Sequence, residues 1–278
     1  VQNYELNEAQ LTEIFEEQIA ANFRLAVVET SPTLAMVAAQ PGAGKTRTVE
    51  DAREAHNGAV AIVGDNFRRF HPSYETLMEN GPLHMPEATA QASGRWVEMS
   101  LNWLRRKHRS LVIETTMRHP QANEYTLTQF RDSGYRTEVT IVATPPQLSL
   151  MGTLIRYVGQ VESQGEGRWV GAAAHDEAVE QLPRTLADQI SKGNIDHVTV
   201  IDRAGETLYD TDVNAANRSA ATSPALQAIR QGQRFDAIPP DQQQQWADDC
   251  SHIEQFLHEH PGQTKLRDVY AGVAASAH

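Results

Sequence analysis

The run AQPGAGKT, Ala39 to Thr46, ends an apolar stretch in a glycine-rich turn that closes on a cation and a hydroxyl. This is the G-x-x-x-x-G-K-[ST] spacing of a phosphate-binding loop, with Ala39 standing at the first glycine position. Gly42, Ala43 and Gly44 allow backbone amides to turn inward as an anion nest, and a helix beginning near Lys45 adds its positive end. On this reading Lys45 bridges the β- and γ-phosphates of ATP and the Thr46 hydroxyl ligates Mg²⁺.

Two further apolar runs end in acids. AIVGDNFRRFHP delivers Asp65, and SLVIETTMRHP delivers Glu114 with Arg118 just beyond it. In open α/β sheets, ligands gather at the carboxyl edges of the strands. An acid there serves as a metal ligand, as a base for a substrate hydroxyl, or only as the N-cap of the next helix. Later, LIRYVGQVESQGEGRWVGAAAHD carries Arg156 on an expected helix and Arg168 after a glycine-rich, flexible segment. Phosphoryl transfer is catalysed mainly by positioning and by cations around the transferred group, so these arginines suit a mobile lid. His71, His84, His119 and His175 are scattered through expected loops and read as solvated or hydrogen-bonding groups, while His252 and His258 lie six apart, off a common helical face.

The elements that must hold these groups are legible as alternation. Apolar runs start at Thr33, Gly58, Ser110, Thr137 and His197, with helical spacing between them, as in Trp96, Val97, Met99, Leu101, Trp103 and Leu104. Continuously apolar strands separated by helices predict an α/β fold: a P-loop NTPase-like parallel sheet flanked by helices. Asn7 is a candidate cap for an amphipathic helix carrying Leu11, Ile14, Phe15 and Ile19, expected to pack on the sheet. The stretch TDVNAANRSAATSP reads as a linker or long loop, and Trp246, Cys250, Ile253, Phe256 and Leu257 form the stripe of a later helix. The expected division is therefore a core over residues 1–222 and a helical C-terminal extension over 223–278.

Composition narrows the setting. The 278 residues carry a formal net charge of −12, which argues against a broad basic surface for nucleic acid. Cys250 is the single cysteine, so no intramolecular disulfide forms. No apolar run approaches the roughly 18 residues that span a bilayer, and the first residues are acidic where a signal peptide would be basic. The expectation is a soluble cytoplasmic protein with no nucleic-acid or membrane partner.

In order and approximate spacing, AAQPGAGKT, GDNFRRFHPSY, VIETTMR, IVATPPQLSLMGTLIRY and RWVGAAAHD resemble the zeta toxin family of toxin–antitoxin systems, over about Thr33 to Asp210. The resemblance implies a P-loop kinase that uses ATP to phosphorylate a sugar hydroxyl of UDP-N-acetylglucosamine, blocking cell-wall precursor synthesis. It also implies a small helical antitoxin, epsilon-like, that occludes the nucleotide site. Carried over, the catalytic base falls on Asp65, substrate contacts on Glu114, Thr116, Arg118 and Thr126, and phosphate-gripping arginines on Arg156 and Arg168. Thr115 stands where the family commonly has glycine, which implies a narrower pocket. Two rivals to this reading are a P-loop kinase for an antibiotic or a nucleotide, and a non-catalytic ATP-binding switch.

Overall fold

Apolar strands and amphipathic helices alternate through the computed structural model, which describes residues 4–80, 84–165, 167 and 172–277. The first elements are α1 (Glu8–Ile14), a π-helical turn (Phe15–Ile19), α2 (Ala20–Phe23), β1 (Thr33–Ala38), α3 (Lys45–Ala55) and β2 (Val60–Ile62). A 3-10 turn (Gly64–Phe70), α4 (Tyr74–Asn80), α5 (Met85–Ala88), α6 (Ala90–Arg106), β3 (Leu111–Thr115), α7 (Pro120–Arg131) and β4 (Arg136–Ala143) follow. The chain continues through α8 (Pro146–Gln164), α9 (Ala172–Lys192), β5 (His197–Asp202), β6 (Thr207–Asp212) and α10 (Arg218–Gly232). A 3-10 turn at Phe235–Ala237 leads to α11 (Pro240–Glu259) and α12 (Thr264–Ala275).

All five expected strands form, in a six-stranded sheet ordered β2-β3-β1-β4-β5-β6. The sheet is mostly parallel and flanked by helices, as expected. β2 and β3 run parallel, with Ile62 opposite Ile113. β6 was not anticipated. It pairs antiparallel with β5, and its TLYDTD sequence is half-exposed or exposed throughout, so it carries no apolar run to announce it. β1 lies inside the order with β3 on one side and β4 on the other, so the loop after β1 leaves where the chain switches direction across the sheet, the usual ligand edge of such folds.

The chain divides into two compact units. One comprises Val1–Val37, Val49–Glu114 and Thr126–Glu138; the other comprises Ala38–Thr48, Thr115–Tyr125 and Val139–His278. In the first, Asn7 is the expected cap and forms a capping box with Gln10, the Asn7 side chain accepting from the Gln10 amide at 3.0 Å and the Gln10 side chain accepting from the Asn7 amide at 3.1 Å. The helical segment that follows packs on α6. The Trp96 indole donates to the Leu11 carbonyl at 3.1 Å, and the Phe23 and Trp103 rings lie 5.9 Å apart. A buried indole needs such a partner, and the Leu11 carbonyl supplies it.

In the second unit the stretch read as a linker is instead ordered structure. Thr211 and Asp212 finish β6, and α10 begins at Arg218, so residue 223 lies within a helix that packs on α9, β5 and β6. Small polar residues resemble a loop in sequence, yet Ala221, Ala225 and Ala228 are the buried face that lets α10 approach the sheet closely. The expected Ile253, Phe256 and Leu257 stripe of α11 is buried together with Leu266, Tyr270 and Val273 of α12 against Met151, Leu154 and Val158 of α8. This cluster braces α8 from one face. Because Phe256 is 1% exposed, Phe256→Ala is expected to cost about 3–5 kcal/mol in chemical denaturation. A loss below about 1 kcal/mol would mean that this layer does not hold α8.

Candidate active site

β1 ends at Ala38 and α3 starts at Lys45, so the glycine-rich turn spans the gap between a buried strand and an eleven-residue helix. Gly42 and Gly44 adopt φ of 78° and 90°, values that only glycine holds without strain. Ala39 is fully buried and keeps a negative φ, so the missing first glycine leaves the turn intact. Lys45 is 8% exposed, and its ammonium donates to the carbonyls of Ala39 at 3.0 Å and Gln40 at 3.1 Å. Carbonyl dipoles thus hold a desolvated cation beside the loop. Thr46 is exposed on the first turn of α3. Two left-handed glycines, a helix N-terminus, a buried ammonium and an exposed hydroxyl make a donor set suited to a magnesium-bound polyphosphate.

The loop rests on the start of α8. A Cβ added to Gly42 would lie 2.0 Å from the Ser149 carbonyl oxygen, and one added to Gly152 would lie 3.1 Å from the Gly42 oxygen. Polar contacts fix the same junction. The Thr144 hydroxyl donates to the Ala43 carbonyl at 3.1 Å, and the Gln40 amide donates to the Thr144 carbonyl at 2.8 Å and to the Ser149 hydroxyl at 3.1 Å. His175, expected in a loop, is instead buried within α9, where Nε2 lies 2.8 Å from the Ser149 hydroxyl and Nδ1 lies 2.9 Å from the Asp176 carboxylate. Burial pushes the His175 imidazole below its ordinary value, with Asp176 pulling weakly the other way. From the β5–β6 turn, the Arg203 guanidinium donates to the Gly42 carbonyl at 3.4 Å. Burial lowers the Arg203 value and Asp249 opposes that shift.

Arg156 is exposed on α8. It lies three residues after Thr153, four after Gly152 and seven after Ser149, the spacing of one helical face, so it shares the face that abuts the phosphate loop. Arg168, the other expected lid arginine, lies outside the described residues.

Asp65 and Glu114 belong to the other compact unit. Asp65 follows β2 by three residues and Glu114 follows Ile113 within β3, so the paired register brings both acids to the same edge of adjacent parallel strands. Asp65 caps no helix: the 3-10 turn has Val63 at its N-cap and no side-chain cap bond. Its carboxylate is 69% exposed and accepts from the Arg68 guanidinium at 2.7 Å. Arg68, only 13% exposed, is itself anchored by a bond to the Thr89 hydroxyl at 3.0 Å. One side of Asp65 is therefore oriented while the rest stays open. Thr126 is half-buried on α7.

Thr116 and Arg118 sit in the loop after β3, in the same unit as the phosphate loop. Between them Met117 is fully buried at φ 51°, an uncommon conformation for a long side chain. Thr115 explains how it persists. Its hydroxyl accepts from the Met117 amide at 3.1 Å and donates to Asn123 Oδ1 at 3.2 Å, so this residue braces the loop. Arg118 lies 3.9 Å from Glu177 and donates to His119 at 3.0 Å, leaving a half-exposed guanidinium. Sequence reasoning missed Gln40, Thr144, Ser149 and Arg203, because their roles arise from partners far along the chain, and it missed Arg68, whose partner Asp65 is only three residues away but whose anchor Thr89 is not.

Two outcomes follow. Gly42→Ala combines a disfavoured φ with a backbone clash, so it is expected to lose about 1–3 kcal/mol of stability and any stabilisation by nucleotide in thermal melts. Retention of both would contradict the tight junction. For His175, the unfolded chain takes up a proton near pH 6.5 whereas the buried imidazole takes it up only at lower pH. Stability should therefore be level above about pH 6.5 and fall as pH drops below it, until the folded form also protonates. His175→Gln should flatten that limb of a denaturation series, and an unchanged slope would show that His175 does not generate it.

The sequence profile of the family described as Zeta toxin matches residues 18–214. The chain is 30% identical over 210 residues to Toxin zeta of Enterococcus hirae, covering 75% of this chain and 72% of that protein. Toxin PezT of Streptococcus pneumoniae serotype 4 is 27% identical over 188 residues, covering 67% of this chain and 74% of that protein. A solved structure described as the PezAT chromosomal toxin–antitoxin system of Streptococcus pneumoniae superposes with a TM-score of 0.73 at 20% identity, over 93% of this chain and 100% of that one, which shows a shared fold. The loop, the strand-edge acids and the arginine-bearing α8 thus sit in the order that these matches span, and the chain belongs to the zeta toxin family.

Proposed function

We propose that this zeta toxin is an ATP- and Mg²⁺-dependent phosphotransferase that phosphorylates a sugar hydroxyl of UDP-N-acetylglucosamine or a related UDP-sugar, and so blocks cell-wall precursor synthesis. The observation that carries the reading is an exposed, uncapped Asp65 carboxylate, oriented by Arg68, in a chain with a formed phosphate loop. A protein that only bound nucleotide would need no such base.

In this proposal Gly42, Ala43 and Gly44 present backbone amides to phosphate oxygens, and Lys45 shifts from the loop carbonyls to the same oxygens. Thr46 supplies a hydroxyl to the metal. Bound magnesium ATP supplies the phosphoryl group and the charge that makes it transferable. Asp65 accepts the proton of the acceptor hydroxyl, whose own pKa is far above neutral, so the transfer to Asp65 comes late along the reaction. Arg156 and Arg168 stabilise charge on the transferred group. Glu114, Thr116, Arg118 and Thr126 hold the UDP-sugar, with Arg118 suited to its diphosphate.

The substrate is drawn from the family, and it is a cytoplasmic metabolite, which agrees with a chain whose described helices are all too short or too polar to cross a membrane. A small helical antitoxin is the expected partner, supported by the solved relative described as a toxin–antitoxin system. Residues 223–278 are proposed to act as an extension that braces a core of residues 1–222, since α11 and α12 pack on α8.

ADP release by the purified chain, supplied with ATP, Mg²⁺ and a panel of UDP-sugars, nucleotides and aminoglycosides, tests this. Turnover with UDP-N-acetylglucosamine is expected. Asp65→Asn should lower kcat by about 10²–10⁴-fold with nucleotide binding intact, and Lys45→Ala should abolish turnover. Turnover confined to another panel member would replace the substrate; undiminished turnover by the Asp65 variant would remove it as the base.

A further inference from the structure

We propose that His175 is a positioning residue for nucleotide binding: through Ser149 it holds the Gln40 side chain, and so sets the shape of the phosphate loop. The proposal rests on the reading of that loop as the nucleotide site.

The donors and acceptors along this chain of contacts can be assigned. Asp176 presents only acceptors, so the 2.9 Å contact puts the imidazole proton on Nδ1. Nε2 of the neutral ring is then an acceptor, and at 2.8 Å it is a nearer partner for the Ser149 hydroxyl proton than the Pro146 carbonyl at 3.0 Å or the Pro145 carbonyl at 3.3 Å, so we assign that proton to Nε2. With that proton committed, the Ser149 oxygen accepts from the Gln40 amide at 3.1 Å, while the second proton of that amide goes to the Thr144 carbonyl at 2.8 Å. Both Gln40 amide protons are used, so the side chain has a single orientation. Gln40, Thr144, Ser149 and His175 are each no more than 1% exposed, which leaves no water to replace a lost partner.

This network joins three segments that are remote in sequence: the phosphate loop, the first turn of α8 and the first turn of α9. Its far end carries function. The Gln40 carbonyl accepts from the Lys45 ammonium at 3.1 Å and from the Ala43 amide at 3.3 Å, so Gln40 is the corner about which the anion-binding turn is built. Apolar side chains could fill the same buried space without the risk of unpaired groups, but they would not dictate the orientation of Gln40. The polar chain therefore supplies preorganisation, and releasing it requires the nucleotide to order the loop on binding.

The test is the Kd for ADP and for a non-hydrolysable ATP analogue, by calorimetry on the full chain well below its melting temperature. Ser149→Ala and His175→Ala are each expected to weaken both ligands about tenfold, consistent with one buried polar partner lost. The double variant should be no weaker than the weaker single one, because the two residues act in series. His175→Gln places an amide acceptor within reach of Ser149 and should recover most of the affinity; it and Ser149→Ala also cover the case in which His175→Ala does not fold. Leu11→Ala, which removes a fully buried side chain from the other compact unit, is the control and should lower stability while leaving Kd within about twofold. Wild-type affinity in Ser149→Ala or His175→Ala, or additive losses in the double variant, would overturn the proposal. Failure of the folded wild-type chain to bind either nucleotide would instead overturn the phosphate-site reading on which it stands.

Discussion

The contact of Gly42 with the Ser149 carbonyl at the start of α8 is the constraint on which the site depends. No side chain fits between the loop and the helix, and the left-handed φ of Gly42 turns the chain back toward Lys45 at that point. From this junction the rest can be derived. Thr153 lies against the loop, and Arg156 follows three residues later on the same face of α8. On its other face α8 is buried by α11 and α12, and this apolar packing gives the junction a fixed support.

The polar side of that junction uses desolvation in two ways. Lys45 is a buried cation whose ammonium donates to the Ala39 and Gln40 carbonyls, so the loop backbone helps to offset the cost of taking that charge out of water. His175 is held neutral by the same burial, and a neutral ring is what allows Nε2 to accept from Ser149. A low local dielectric therefore selects the protonation state as well as the strength of each bond.

The unit that carries the acids solves a different problem. The Arg68 contact orients one side of the Asp65 carboxylate while leaving the rest in solvent, the arrangement that the base proposed above requires. In the loop after β3, backbone geometry does the corresponding work. Met117 holds a positive φ with its side chain fully buried, and the bonds of Thr115 to Met117 and Asn123 keep Thr116 and Arg118 on a defined path. Hydrogen-bonding side chains stabilise a turn that a glycine would otherwise adopt unaided.

Taken alone, the sequence determined the alternating α/β pattern, five of the six strands, the capped first helix, the stripe on α11 and the phosphate loop. Each of these is written in local periodicity or in a short motif whose residues act on their immediate neighbours. It also put Asp65 and Glu114 at strand ends but left their capping role open. Only the tertiary structure decided that Asp65 caps nothing, that the α10 segment is helix rather than linker, and that β6 adds an antiparallel edge. The same is true of Gln40, Thr144, Ser149 and His175, whose partners lie 26 to 109 residues away along the chain. Hydrogen bonds between distant segments leave no local pattern, because their energy depends on which elements meet in space, and that is settled by packing of the whole chain.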